Sequence, residues 1–517
     1  MFMNAMKATL DNEFNYSVTE NGALGYRTTG KELLDLNFAV SSLRKATEID
    51  IARRFKRAFG EDKVLAMKWL FFARDVRGGL GERRLFRVVL VDLVNSNPEM
   101  VIPLINLIPE YARYDDLWCL LDNKESAKVV LELIVKQLTE DFNNMKAGKS
   151  ISLISKWLPS CNASSVQTKK YAKQIYKTLG LTEREYRKTL SKFRKYLDIV
   201  EVKMSNKSWS EIKYEAVPSR ANLIYNSAFL RNDEERRREY LGKLEKGETK
   251  INATTLFPHD IVHKYSARNG WYGNRLNAKD AAIEALWKAL PNTIQGCENT
   301  IVVADGSGSM NTTVDDNSKV TALEVANALA IYFAERSSGE FKDKYITFSE
   351  RPQLVDFSNA DSLHDKLQIA FTHSEVANTN IEKVFDLILT TAINNHMHQE
   401  AIPKNILIIS DMEFDNCATC GNSGGYYNHR PDQRLFEVIA KRYIDAGYQL
   451  PRLVFWNVNS RTGTIPVKEN DLGVALVSGF SVNVAKMVMS GKTDPFECLL
   501  ETLNSERYAP IEEALKD

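Results

Sequence analysis

The sequence predicts an α + α/β fold, in which an all-helical first part precedes a doubly wound, mainly parallel sheet. Up to residue 299, apolar residues recur at helical spacing and β-branched alternation is scarce. From Thr300 onward, short β-branched runs alternate with helical segments, an order typical of parallel α/β sheets. The charge changes at the same place. Residues 300–517 carry 19 Lys and Arg against 30 Asp and Glu, and the totals of 68 and 67 leave 49 against 37 for residues 1–299.

The first part is predicted to be an array of HEAT-like helical repeats. Its helices are short and its links are polar, so each helix pair would bury its apolar face against its neighbours. No fixed sequence period is found, and the prediction therefore depends only on the succession of short helices and short links. The predicted helices are Leu33–Ala46, Asp50–Phe59, Lys63–Arg74, Glu82–Val94, Pro98–Leu107 and Ser126–Asn143.

A glycine-rich segment, Gly78–Gly81, joins two of these helices. No buried strand precedes it and no Gly-Lys-Ser/Thr follows it, so a tight turn is favoured over a phosphate-binding loop. The nearby arginines leave phosphate contact open as an alternative.

A basic helix predicted over Arg184–Val200 is the best candidate for nucleic-acid binding. At 100° per residue, six cations fall within about 160° of arc and apolar residues occupy the opposite arc. A helix that is only solvated would mix charges of both signs on such a face. We therefore expect the face to contact RNA phosphates, with three lysines upstream extending it. The predicted RNA-binding residues are Arg184, Arg187, Lys188, Lys192, Arg194, Lys195, Lys169, Lys170 and Lys173.

The second part is predicted to be a doubly wound sheet, which places ligands at the carboxyl ends of strands near the topological switch point. The predicted strands are Ile301–Asp305, Tyr345–Phe348, an edge strand Gln353–Phe357, Asn405–Asp411, Leu453–Val458 and Val474–Ser478, with helices over Lys319–Glu335 and from Asn380 and Gln433.

Short oxygen-bearing residues follow two of these strands. Asp305 ends the first, Ser307 and Ser309 follow in a glycine-rich turn, and Asp411 ends a later strand. Thr379 precedes a helix between the two. Carboxylates and hydroxyls suit a hard divalent cation. We expect these five residues to hold Mg²⁺ or Mn²⁺, and the alternative is a polar cleft without a metal.

The Asp-x-Ser-x-Ser pattern, the threonine and the later aspartate, in this order, resemble the metal-ion-dependent adhesion site of von Willebrand factor A domains. In that family the two hydroxyls coordinate Mg²⁺ directly and the first aspartate acts mostly through water. The two glycines that usually precede the threonine are replaced here by Ala377 and Asn378.

The segments RDVRGGLGER (74–83), YARYDDLW (111–118) and KWLPS (156–160), placed ahead of such a domain, resemble the TROVE module of the Ro autoantigen and its bacterial and phage relatives. YEAVPSR (214–220) and KINA (250–253) are also similar. The resemblance implies a helical-repeat ring closed by a von Willebrand factor A (Rossmann-like) domain. It also implies binding of small structured RNAs outside the ring and of loose RNA ends in the central hole. The predicted division is 1–298 helical, 299–490 A-domain and 491–517 helical tail.

Composition excludes several classes. No apolar run reaches the ~18 residues of a membrane span, and acids appear too early at the N-terminus for a secretory signal. The six scattered cysteines favour a reducing, cytoplasmic setting. Cys417 and Cys420, with His429, are too few for a closed zinc site, so a loop with incidental cysteines is favoured.

No sequence motif of an enzyme is present, so we expect a binding protein. The favoured function is an RNA-binding scaffold or RNA quality-control factor. The alternative is a protein–protein adaptor whose metal recruits a carboxylate of an acidic partner.

Overall fold

The computed structural model describes residues 14–266, 276–294, 299–373, 378–416, 434–468, 470, 472–485, 487 and 492–516, with residues 2, 3, 6, 7 and 10. In this part of the chain the strands are β1 (Ser17–Val18), β2 (Leu24–Gly25), β3 (Thr300–Asp305), β4 (Lys344–Phe348), β5 (Gln353–Asp356), β6 (Asn405–Ser410), β7 (Arg452–Asn457) and β8 (Val474–Ser478).

The α-helices of the same residues cover the predicted helical region and also alternate with the later strands. They are α1 (Glu32–Phe38), α2 (Glu48–Glu61), α3 (Lys63–Arg74), α4 (Arg83–Ser96), α5 (Pro98–Val101), α6 (Ile108–Tyr111), α7 (Lys124–Lys146), α8 (Ile154–Trp157), α9 (Val166–Thr178), α10 (Glu183–Tyr196), α11 (Val200–Ser205), α12 (Ser219–Asn232), α13 (Glu234–Glu245), α14 (Pro258–Val262), α15 (Ala281–Lys288), α16 (Ala322–Arg336), α17 (Leu363–Thr372), α18 (Glu382–Asn394), α19 (Leu435–Asp445), α20 (Pro495–Leu503) and α21 (Ala509–Lys516).

The predicted α + α/β class is confirmed at the level of a helical N-terminal region and a C-terminal, mainly parallel sheet. The compact units do not follow linear segments. A helical unit comprises residues 62–255 and 504–517, and a sheet unit comprises residues 1–61 and 256–503. The described residues of the ranges 1–61 and 256–298 thus pack with the sheet, and those of the range 504–516 pack with the helices. None of the described helices is both long and apolar enough to cross a membrane.

Three predicted helices end earlier than expected, each for a local reason. The first stops at Phe38, whose carbonyl accepts a hydrogen bond from Asn457 Nδ2 at 2.8 Å. The helix that begins at Pro98 changes to a 3₁₀ helix after Val101, because Pro103 has no N–H to donate. The basic helix α10 ends at Tyr196, since Asp198 adopts a positive φ of 53° and breaks the continuation to Val200.

The glycine-rich segment is a tight turn between α3 and α4. A Cβ atom on Gly79 would lie 1.9 Å from the Phe72 carbonyl oxygen, and Gly81 has a φ of 76°. Two neighbouring arginines are used internally. Arg74 donates to the buried Asp116 at 2.6 Å, and Arg83 pairs with the same carboxylate at 3.4 Å.

The six-stranded sheet has the order β5-β4-β3-β6-β7-β8, with all pairs parallel except β4 and the antiparallel edge strand β5. Counted from β3, this is the 3-2-1-4-5-6 order of a doubly wound fold, and its switch point lies between β3 and β6. Every residue of the inner strands β3 and β7 is buried, as expected for strands covered on both faces, and the strand β8 at the end of the sheet is buried as well. The polar loops after β3 and β6 therefore meet at one edge of the sheet.

Residues from the start of the chain lie against this edge. Gly22 pairs with Asp415 and Tyr26 with Ile465 in isolated antiparallel bridges. The Thr19 hydroxyl donates to the Phe414 carbonyl at 2.6 Å. These contacts place the β1–β2 hairpin beside the loop that follows β6.

Candidate metal centre and basic surface

The loop after β3 positions the first three predicted ligands. Asp305, the last residue of β3, accepts hydrogen bonds from the Ser307 N–H at 2.9 Å and from the Ser410 hydroxyl at 2.5 Å. The Ser307 and Ser309 hydroxyl oxygens are 3.1 Å apart, and a short 3₁₀ helix over Gly308–Asn311 holds the second serine in place. Asp305 and Ser307 are buried and Ser309 is half-buried.

Asp411, directly after β6, lies beside this group. The Ser309 hydroxyl hydrogen-bonds to it, the Glu413 N–H donates to its Oδ1 at 3.3 Å, and Arg461 Nη1 donates to its Oδ2 at 3.1 Å. Burial raises the pKa of Asp411, and the guanidinium of Arg461 offsets part of that rise. Burial also raises the pKa of Asp305, and the charge of Asp411 adds to it.

The structure brings four of the five predicted residues into one hydrogen-bonded group, namely Asp305, Ser307, Ser309 and Asp411. Thr379 is buried and is connected to the same loop indirectly. Asn21 Nδ2 donates to the Thr379 hydroxyl at 3.2 Å and to the Glu413 carbonyl at 2.7 Å, and the Asp415 N–H donates to the Thr379 carbonyl at 3.0 Å.

The donor set suits a small, hard cation. Two buried carboxylates and three hydroxyls offer oxygen ligands only, which Mg²⁺ and Mn²⁺ prefer over Zn²⁺. In the described residues, no group of three or more His, Cys, Asp or Glu side chains is arranged to hold a metal, so hydroxyls would have to complete the ligand shell. One cationic side chain, Arg461, already contacts Asp411 and would have to share it with a metal ion.

Four residues that sequence reasoning missed surround this group. Glu413 is fully buried and accepts from the N–H groups of Glu20, Arg461 and Thr462 at 2.7–2.8 Å. Arg461 also pairs with the Glu20 carboxylate. Glu413 follows Asp411 by two residues, a spacing that could have indicated it. Glu20, Asn21 and Arg461 carry no such signal, because they lie tens or hundreds of residues away in the sequence.

A basic surface lies on α10 in the helical unit. Its apolar side packs inward, with Tyr186, Leu190 and Phe193 buried. Its other side carries five exposed cations that make no ion pair among the residues the structure describes: Arg184, Arg187, Lys188, Lys192 and Lys195. The helix also bears Glu183 and Glu185 in its first turn, where a negative charge interacts favourably with the helix dipole. Glu185 forms a capping box with Thr182.

Arg194 does not belong to this exposed group. Its guanidinium donates to the carbonyls of Ser155 and Leu158 at 2.9 and 2.8 Å and to the Ser160 hydroxyl at 3.2 Å. Burial lowers its pKa. Arg194 therefore ties α10 to the segment around α8 and has no free donor fork for a phosphate.

The three predicted lysines of α9 are all exposed but differ in their partners. Lys170 pairs with Asp122 at 2.6 Å, and Tyr171 and Gln167 donate to the same carboxylate. Lys169 and Lys173 have no ion-pair partner in the described chain. These two extend the basic surface more directly than Lys170 does. We define the basic surface as the five α10 cations with Lys169 and Lys173.

The cysteine loop with Cys417, Cys420 and His429 lies outside the described residues.

Comparisons with known proteins give similarity without a function. Residues 299–510 match a family described as a domain of unknown function (DUF7788), and residues 127–298 match another domain of unknown function (DUF2828). The junction of the two matches falls where the charge and the helix–strand rhythm change. Over 539 residues the chain is 29% identical to the "Uncharacterized protein L728" of Acanthamoeba polyphaga mimivirus, and the similarity covers 96% of this chain and 89% of the viral protein.

Proposed function

We propose that the protein binds RNA through the basic surface of its helical unit. The observation that carries this proposal is the group of five exposed α10 cations without ion-pair partners in the described residues. A face of one sign is costly to assemble unless it meets a polyanion, because like charges at neighbouring helix positions repel. Each phosphate that these side chains neutralise would release condensed counterions and so drive binding.

An aromatic side chain next to this surface favours single-stranded RNA. Phe142 of α7 is 38% exposed, and the ammonium groups of Lys146 and Lys192 lie 4.3 and 5.7 Å from its ring centroid. An exposed ring flanked by cations can stack a base while the lysines contact its phosphates. Duplex DNA would offer neither an unstacked base nor a groove suited to this helix face.

The test is a charge reversal of three cations, Arg187→Glu, Lys188→Glu and Lys192→Glu. We expect the affinity for a small structured RNA with a single-stranded tail to fall by two or more orders of magnitude at low salt. The slope of log affinity against log salt should also become shallower by up to about three phosphate contacts. Filter binding or fluorescence anisotropy over a salt series measures both quantities.

The matched control reverses three exposed cations of the same unit. Arg231 lies on α12, Lys246 directly follows α13, and Lys250 follows four residues later. It changes the net charge equally, so a comparable loss in the control would show only a general charge effect. If the α10 variant binds RNA as well as wild type, its basic face is a solvated surface.

We also propose that Asp305, Ser307, Ser309, Thr379 and Asp411 hold Mg²⁺ or Mn²⁺. The buried carboxylate pair next to the Ser307 and Ser309 hydroxyls, at the switch point of a doubly wound sheet, supports this proposal. A bound ion would offer an open coordination position to a carboxylate of an acidic protein partner. The protein would then act as an adaptor, in addition to binding RNA or instead of it.

The finer architecture is part of the same proposal. A HEAT-like helical ring closed by a von Willebrand factor A domain, as in the TROVE family, is supported by the succession of helices over residues 62–255 and by the 3-2-1-4-5-6 strand order. Under this proposal the protein is a non-enzymatic RNA scaffold or quality-control factor of the cytoplasm. Small-angle X-ray scattering would distinguish a closed ring from an extended array.

A further inference from the structure

A cleft of about 650 Å³ opens in the sheet unit, and none of its lining residues belongs to α10. Its walls are formed by α1 and α2, by the hairpin segment around β1 and β2, and by the loop that follows β7. The volume lies within the range of small-ligand sites and would accommodate a nucleotide. The cleft belongs entirely to residues 16–57 and 457–465.

Four arginines line this cleft. Arg53, Arg54 and Arg57 come from one side of α2, and Arg27 comes from the segment after β2. Arg53 and Arg57 are one helical turn apart and so lie on the same face. All four side chains are exposed to solvent. Arg53 forms an ion pair with Asp50, whereas Arg27, Arg54 and Arg57 form no side-chain ion pair with any described residue.

Two acids, Asp35 and Glu32, also line the cleft. The carboxylate of Asp35 accepts hydrogen bonds from the Thr29 N–H at 2.8 Å, from the Thr29 hydroxyl at 2.6 Å and from the Thr28 hydroxyl. Glu32 is half-buried, and burial raises its pKa although Arg57 and Arg54 oppose the rise. The acids offset part of the arginine charge, so a ligand with a single negative charge would gain little here.

The opposite wall is held rigidly. Thr462 and Gly463 line the cleft, and the Thr462 N–H and hydroxyl both donate to the buried Glu413 carboxylate, at 2.8 and 3.1 Å. Asn457 is fixed by its hydrogen bond to the Phe38 carbonyl. A preorganised wall lowers the entropy that a ligand has to lose on binding.

We propose that this arginine cleft binds a ligand with two or more adjacent phosphate groups. Guanidinium groups donate in a planar fork that matches phosphate oxygens, which lysine cannot do. Three guanidinium groups without a side-chain ion pair, two on α2 and one on the segment after β2, suit a chain of phosphates, as in a nucleoside triphosphate or in an RNA backbone. The inference goes beyond RNA binding by α10, because it concerns different residues in the other unit.

The experiment uses the full-length protein with the α10 triple reversal, in EDTA, so that neither the basic surface nor a bound metal contributes. Isothermal titration calorimetry compares pyrophosphate, ATP, AMP and a twelve-nucleotide oligouridylate. The variant Arg54→Gln/Arg57→Gln should bind the polyphosphate ligand at least about tenfold more weakly, since a hydrogen bond to a charged group contributes more than a neutral one. The control is Lys342→Gln/Arg351→Gln, two exposed cations of the same unit outside the cleft.

A third variant, Glu32→Gln, should bind the polyphosphate ligand several-fold more tightly, because it removes a negative charge from the cleft. A gain in affinity cannot result from misfolding. Binding of ATP and pyrophosphate, with AMP weaker, identifies a free polyphosphate ligand. Binding of the oligouridylate alone identifies the RNA backbone as the source of phosphate. The proposal is overturned if none of the four ligands binds, or if the control variant loses as much affinity as the cleft variant. Failure of α10 to bind RNA would not affect this result.

Discussion

The two compact units carry opposite charge and treat buried carboxylates in opposite ways. Counted over the units, the helical unit has 37 Lys and Arg against 29 Asp and Glu, and the sheet unit has 31 against 38. Asp116 of the helical unit is buried, but Arg74 and Arg87 outweigh burial and hold its pKa below the usual range. Asp305 of the sheet unit is equally buried next to a second acid, and its pKa is raised.

This difference separates structural charge from charge that is available to a ligand. The Asp116 carboxylate is fully used by guanidinium groups within its own unit, with Arg87 Nε at 2.5 Å and Arg74 Nη2 at 2.6 Å. Asp305 contacts only hydroxyl and N–H donors among the described residues. A buried acid whose pKa is raised by burial and by a neighbouring acid is a common feature of ligand sites.

The largest expected effect is on the buried ion network. Asp116→Asn would leave Arg74 buried without a counter-charge, and we expect the free energy of unfolding to fall by roughly 3–5 kcal/mol. Asp122→Asn is the matched control, because the Asp122–Lys170 pair is exposed and should contribute less than about 1 kcal/mol. Urea denaturation measures both. Equal losses in the two variants would contradict the comparison.

Metal binding tests the sheet unit. At 100 times its dissociation constant, Mg²⁺ should stabilise the wild-type protein by about 2.7 kcal/mol, seen as a higher melting temperature. Asp305→Ala and Ser309→Ala should each remove that response, whereas the exposed Asp361→Ala should keep it. Differential scanning fluorimetry with and without EDTA measures the shift. A full response in the Asp305 variant would exclude the site as proposed.

Arg194 and Arg187 should behave in opposite ways although both lie on α10. Arg194→Ala removes donors from two carbonyls and one hydroxyl, so we expect a loss of about 1–3 kcal/mol in stability and little change in RNA affinity. Arg187→Ala should weaken RNA binding and leave stability nearly unchanged, since Arg187 is exposed. Parallel denaturation and anisotropy measurements separate the two, and a reversed pattern would move Arg194 into the RNA surface.

The smallest expected effect is on stability at acidic pH. The folded-state pKa of Asp116 is lowered, so its contribution to stability is complete above the unfolded-state pKa of about 4 and is lost as pH falls through the folded-state value. Between pH 5 and pH 2 the wild type should therefore lose more stability than Asp116→Asn does. Denaturation midpoints at several pH values measure this difference, and parallel curves would contradict it.

Much of the sheet could be predicted from the sequence because its signals are local. The strands β3 and β6 differ from the predicted strands by one residue at one end, β7 is shifted by one residue at both ends, and β8 has the predicted bounds, Val474–Ser478. Asp305 and Asp411 were found for the same reason, since each follows such a run. Asn21 and Arg461 could not be found, because only long-range packing brings them to the same loops.

The sequence by itself determined the fold class, the strand–helix order and the basic face of α10, since period and composition are properties of neighbouring residues. Tertiary structure decided which charges are free. Arg194 and Arg187 look alike in the sequence, yet the first meets the carbonyls of Ser155 and Leu158 and the second faces solvent. It also decided that residues 1–61 pack with the sheet and residues 504–517 with the helices. Hydrogen bonds and burial depend on partners tens to hundreds of residues away, which local patterns do not encode.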